Sequence, residues 1–228
     1  MDDFTKRLLD QVSRSDSGKL LKDYLSDNII DGREPRSGRL FEKFQEAESK
    51  PFEVTPSDLL SLTQLSMRIG GPQSISDVGI INLFRDENLT AISKHLKKID
   101  PNLTLEKMSL NEFEDFRNIS IELFKLLTDI GFKDVAKYKL LARKRPNVCP
   151  IRDKFVRIAL GNPKGWYRSW FDAFQPQVGV IDKLEELRKN NPAAHHLSLL
   201  RVADAIIWER QKQKNEPNSL SKPRPRVG

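Results

Sequence analysis

In every patterned stretch of this 228-residue chain the apolar side chains return at the three- and four-residue intervals of a helix. Nowhere do β-branched residues alternate with polar ones for long enough to demand a sheet. The chain therefore reads as all-α, a compact multi-helix domain. Residues 4–25 give two short helices separated by the polar break at 13–18. Residues 31–52, rich in Gly, Pro and charge, give a loop pinned over the core by Phe41 and Phe44. Thr55-Pro56-Ser57-Asp58 puts a capping residue before a proline at the first helical position, and the helix it opens runs to Gly70-Gly71-Pro72. Further helices are predicted over 77–84, 89–99 and 110–127, the last with a strongly amphipathic pattern of Phe113, Phe116, Ile119, Leu123 and Leu127.

With 38% hydrophobic and 31% charged residues the chain can bury a substantial core. It has no run of eighteen apolar residues, and MDDFTKRLLDQ is unlike a signal peptide, so a cytoplasmic protein without a membrane partner is expected. The single cysteine, Cys149, excludes an internal disulfide, a four-cysteine iron–sulfur site and a Cys-rich zinc site. His195-His196 has no evident third ligand, so neither a metal nor another cofactor is expected.

The formal net charge of +7 is unevenly spread. Residues 1–130 carry 18 Lys or Arg against 23 Asp or Glu, a net −5, whereas residues 131–228 carry 21 against 9, a net +12. A basic half suits a polyanion, because neutralised phosphates release counterions. A solvated surface that binds nothing would look the same.

Chemistry concentrates in residues 126–158. A helix ends near Leu127, Gly131 offers the positive φ of a tight connection, and a second helix starts almost at once, with Asp134 as its candidate cap. Such a helix-hairpin-helix points backbone N–H groups and a helix N-terminus outward, which suits a DNA backbone phosphate at Gly131 and Phe132. Lys133, Lys137, Arg143, Lys144, Arg145 and Arg152 would add attraction. An ordinary αα-corner with a basic face is the plainer alternative. Pro150-Ile151-Arg152-Asp153 follows, where Asp153 would cap a new helix.

These residues resemble the helix-hairpin-helix DNA glycosylase superfamily, whose pattern runs Leu-Pro-Gly-Val-Gly, a hairpin helix, then Pro-Val-Asp. The resemblance implies a DNA-glycosylase-like fold, DNA as partner, and Asp153 as the catalytic aspartate. It puts Lys133 at the place of a Schiff-base lysine, with Lys139 as second candidate if the hairpin is shifted. Thr128-Asp129 stands where the pattern has Pro-Gly, so one hairpin glycine is missing, and the segment before Asp153 is one residue longer. Over most of the chain, SGRLFEKF, VTPSDLLSLTQLSM, KLLARKRP with PIRDKFV, and LSLLRVADAIIWE are similar to blocks of an uncharacterised bacterial family defined by a domain of unknown function.

A glycosylase needs a pocket with aromatic walls for the flipped base. Trp166 and Tyr167 are the candidates, although Trp166, Trp170 and Phe174 recur every four residues as a core stripe would. Asp204 is either a second pocket carboxylate or the ion-pair partner of Arg201 in a deeply buried helix. The expected organisation is residues 1–54 as helices and a loop packed on the core, 55–215 as the helix-hairpin-helix domain, and 216–228 as a disordered basic tail. The expected function is DNA binding with base excision centred on Asp153. A non-catalytic DNA-binding module, or a protein-interaction domain of a bacterial defence or stress system, stays open.

Overall fold

The computed structural model of the chain describes residues 1–44, 50–67 and 75–216. The expected helix end at Gly70–Pro72 and nearly all of the expected basic tail lie outside them. Among the described residues there are eleven α-helices and no strand. They are α1 (Asp3–Ser13), α2 (Ser17–Leu25), α3 (Pro56–Gln64), α4 (Asp77–Leu83), α5 (Asp86–Leu96), α6 (Leu110–Ile130), α7 (Asp134–Lys144), α8 (Lys154–Ala159), α9 (Trp166–Ala173), α10 (Val180–Lys189) and α11 (Leu199–Asn215).

Local chemistry sets where several of these begin. The carboxylates of Asp2 and Asp153 and the hydroxyls of Ser76 and Ser198 accept backbone N–H groups of the first turns of α1, α8, α4 and α11. Thr55 with Asp58, and Ser109 with Glu112, form reciprocal capping boxes at α3 and α6. Each device satisfies donors that a helix start would otherwise leave orphaned.

One apolar core runs through the molecule. Its axis is α11, buried along nearly its whole first half and packed by α1, α2, α8 and α10. On the other side α3 packs on α7, α6 packs on both α5 and α7, and α4 lies against α5 and α6. Trp166, Trp170 and Phe174 are core residues, with Phe4 meeting both indoles edge-on.

Two features join the halves. At the end of α7, Arg143, Lys144 and Arg145 point inward and gather carbonyls. Arg145, 1% exposed, donates to Ile99 O at 3.0 Å, to Pro51 O at 2.9 Å and to Leu96 O. Lys144 meets Asp58 Oδ2 at 2.5 Å and donates to Lys50 O at 3.3 Å, while Arg143 donates to Phe41 O and Phe44 O. The second feature is the turn from α6 to α7. Gly131 has φ +120, and a Cβ there would lie 2.8 Å from Ser76 Oγ and 2.9 Å from Gly79 Cα, so only glycine fits. Lys133, not Asp134, is the N-cap of α7, and its side chain makes no cap bond; Asp134 is the first helical residue and pairs with Lys137 instead.

Replacing Arg145 by Met should destabilise the fold by roughly 2–4 kcal/mol, since each stranded buried carbonyl costs about 1–3 kcal/mol. Urea unfolding measures this; a loss below about 0.5 kcal/mol, the size of a surface change, would contradict it.

Candidate functional site

A cleft of about 780 Å³ opens where the strap of residues 31–38 crosses the end of α3, and its remaining walls come from α7, residues 151–153 and α11. Its volume lies within the range of small-molecule and cofactor sites. Lys139 reaches it from α7. Asp204 and Trp208, four residues apart and hence on one face of α11, form another wall with Tyr24 of α2 nearby. Asp153 enters as the N-cap of α8. Its backbone is extended after Pro150, and its Oδ1 accepts the Phe155 N–H at 2.7 Å, which fixes the carboxylate at the cleft while leaving it half-exposed.

The charges here sit in different surroundings. Asp204, 4% exposed, gives one oxygen to Arg201, and its Oδ1 is buried without a hydrogen-bond partner. Arg201 also donates to Glu42 Oε1 at 2.6 Å, Tyr24 Oη at 2.7 Å and Gly38 O at 2.8 Å. Burial pushes the Asp204 carboxyl up to about 7 despite the pull of Arg201, and the nearby charges of Asp153 and Glu42 push the same way. Lys139 donates to Leu65 O at 2.7 Å. Burial lowers its pKa; Asp153 and Asp204 oppose that, and Arg201 adds to it.

Trp208 gives the cleft an aromatic wall, held edge-on by Tyr24 and Phe155. Arg36 lies over its ring, with the guanidinium 5.6 Å from the centroid. The same guanidinium grips Glu209 and Glu216 through four hydrogen bonds of 2.9–3.1 Å, and so ties the strap to α11.

Residues 17–211 match the model of a family of unknown function, DUF6308. The chain belongs to that family. Neither a curated protein nor a solved structure matches it. What a DUF6308 chain does must therefore come from its site.

The cleft brings together three of the candidates read from the sequence: Asp153, Lys139 and Asp204. Asp204 unites both readings made of it, since it pairs with Arg201 and lines the cleft. Lys133 is exposed at the start of α7 and does not line it. The two expected pocket aromatics are corrected. Trp166 is a core residue whose indole N–H donates to Pro150 O at 3.4 Å, and Tyr167 turns its hydroxyl inward to Cys149 Sγ at 3.2 Å.

The expected phosphate contacts are corrected as well. Arg143, Lys144 and Arg145 are buried, because their role is to satisfy interior carbonyls and Asp58. Lys137 is buried between Asp134 and Thr128 Oγ1, each 2.8 Å from its ammonium, and ties α7 to α6. Phe132 is buried. The Gly131 and Phe132 N–H groups already bond to Leu127 O at 3.2 and 2.8 Å, so they are not free for a phosphate. Arg152 lies over the Tyr138 ring, 5.1 Å from its centroid.

Sequence reasoning missed Trp208, Tyr24 and Arg36 as cleft residues, and read the strap only as part of a loop over the core. A usable signal existed for Trp208 alone, through its four-residue spacing from Asp204.

Because Asp204 holds its proton more tightly folded than unfolded, it should lower stability as pH rises from about 4 to about 7. Denaturant midpoints measured across that window should fall less steeply for Asp204→Asn than for the wild type. Parallel profiles would contradict the assignment.

Proposed function

We propose that the cleft hydrolyses an N-glycosidic bond to remove a nucleobase flipped out of DNA. One observation carries this reading: Asp153 is a half-exposed carboxylate, oriented by the Phe155 N–H, on a cleft that also holds Lys139, Asp204 and Trp208. As the bond to the base breaks, positive charge builds on the sugar, and a fixed carboxylate stabilises it or orients the attacking water. The base must leave the stack to reach the carboxylate, and the Trp208 ring offers it a stacking wall. Lys139, with its pKa lowered by burial, is the amine available to attack the sugar if the enzyme also cleaves the strand. The resemblance of the hairpin and the Pro150–Asp153 segment to the glycosylase pattern supports the same chemistry.

DNA as the carrier of the base rests on the net charge of +7 and on that resemblance. Lys133, exposed beside the N-terminus of α7, is a cation of the hairpin that faces solvent. The hydrogen bond from the Phe155 N–H favours a second reading, a binding module in which Asp153 serves only as the helix cap that this bond makes it.

Incubation with duplexes bearing a panel of damaged or modified bases, followed by alkali, separates the two. The wild type should leave abasic sites in at least one duplex, and Asp153→Asn should cut the rate by about 100-fold or more. Binding without base release on every duplex would establish the module instead. On any duplex that is also cut at the abasic site, borohydride should trap an adduct that survives Lys133→Gln and disappears in Lys139→Gln; the reverse pattern would remove Lys139 from the chemistry.

A further inference from the structure

We infer that Asp204 is the proton donor to the departing base, working opposite Asp153. This assignment rests on the glycosidase reading and adds to it a second reacting group. The two carboxyls share one cleft but live in contrasting surroundings. Asp153 is half-buried, and its Oδ1 accepts the Phe155 N–H. Asp204 is buried among apolar residues of α11, with one oxygen on Arg201 and Oδ1 without any partner. A buried carboxylate oxygen with no donor is costly to ionise, and because Asp204 lines the cleft, a proton on its carboxyl is held beside whatever enters.

The charges around Asp204 lead to the same state. Arg201 faces it from its own helix, Glu42 from the loop before the first undescribed segment, Asp153 from the start of α8 and Lys139 from α7. Tyr24 of α2 reaches it through Arg201, and burial keeps that phenol neutral by raising it to about 12. Three carboxyls thus confront two cations, and the interior is closest to neutral when one carboxyl holds a proton. Glu42 also accepts from Arg201 and also has a buried oxygen without a partner, but it does not line the main cleft and so cannot serve a molecule bound there. Asp204 is the group whose burial outweighs its partner. Burial thus suits Asp204 to the part of the acid.

The step balances. The Asp204 proton passes to a ring nitrogen of the base as the bond between C1′ and the base breaks, and the bonding electron pair leaves with the base. Water supplies its oxygen to C1′ and gives its proton to Asp153, which releases it to solvent, and Asp204 takes a proton back from solvent. The net change is one water consumed, with one free base and one abasic sugar formed.

The test has two parts on the full chain. Carboxyl-carbon NMR of protein labelled at aspartate, assigned with Asp204→Asn, should show one carboxyl still protonated near pH 6 that is missing in the variant. Single-turnover base release is then compared for duplexes carrying hypoxanthine, a neutral leaving base, and 7-methylguanine, which is already cationic and needs no proton. Asp204→Asn, shown to be folded by its melting curve, should slow the first about 100-fold or more and the second less than about threefold. The variant should also flatten the alkaline fall of the wild-type rate.

An Asp204 ionised throughout the range from about pH 5 to about pH 8 overturns the assignment and leaves the glycosidase reading standing. Equal slowing of both duplexes overturns it too, and makes Asp204 a structural partner of Arg201. If the wild type releases no base from any duplex while Asp204 is protonated, the glycosidase reading itself fails and the donor role falls with it.

Discussion

Three consecutive cations, Arg143, Lys144 and Arg145, turn into the protein, and much of its architecture hangs on the carbonyls they collect. Burying such charge is tolerable only where partners replace water, and here they come from four separate segments: residues 41–44, residues 50–51, Asp58 of α3, and the end of α5. The last of these is a helix C-terminus, which carries orphan carbonyls and negative partial charge in any case. One turn back on the same helix stands Lys139. The clamp that closes the core therefore also sets where α7 presents its cleft-facing amine relative to α3 and the strap.

The cleft shows how one fold gives like groups unlike behaviour. Asp153 and Asp204 differ in what surrounds them, a backbone N–H and solvent for the first, apolar burial and a shared arginine for the second. Arg201 is shared among four acceptors, and burial pushes the Asp204 carboxyl up despite its pull. Arg36 plays a comparable part at the mouth, where it links strap and α11 over the Trp208 ring.

Much of this was legible in sequence where the causes are local. Thr55 before Pro56 and Asp153 after Pro150 mark helix starts because a cap and its donor lie two or three residues apart. The Trp166, Trp170 and Phe174 stripe is a core face for the same reason. The cleft was only partly visible. Asp153 stood out through its segment, but Tyr24 and Arg36 meet α11 from more than 170 residues away. The basic run after Leu141 misled because a sequence does not say which carbonyls elsewhere lack donors, and three cations in a row look like surface until those carbonyls are placed. Gly131 was recognised correctly as a turn, yet its neighbours Ser76 and Gly79 cover it and its N–H bonds inward. The likeness to a hairpin pattern did not carry with it an exposed anchor.

The central claim is that the Asp153 carboxylate faces the place where positive charge develops on a sugar. Its most direct test is the affinity of the chain for duplexes holding a cationic pyrrolidine in place of one sugar, compared with duplexes holding a neutral tetrahydrofuran at the same position. The claim predicts that the pyrrolidine duplex binds at least about tenfold more tightly, a difference of about 1.4 kcal/mol, and that Asp153→Asn abolishes the preference. Equal affinity for the two duplexes in the wild type, or a preference that survives Asp153→Asn, would contradict it.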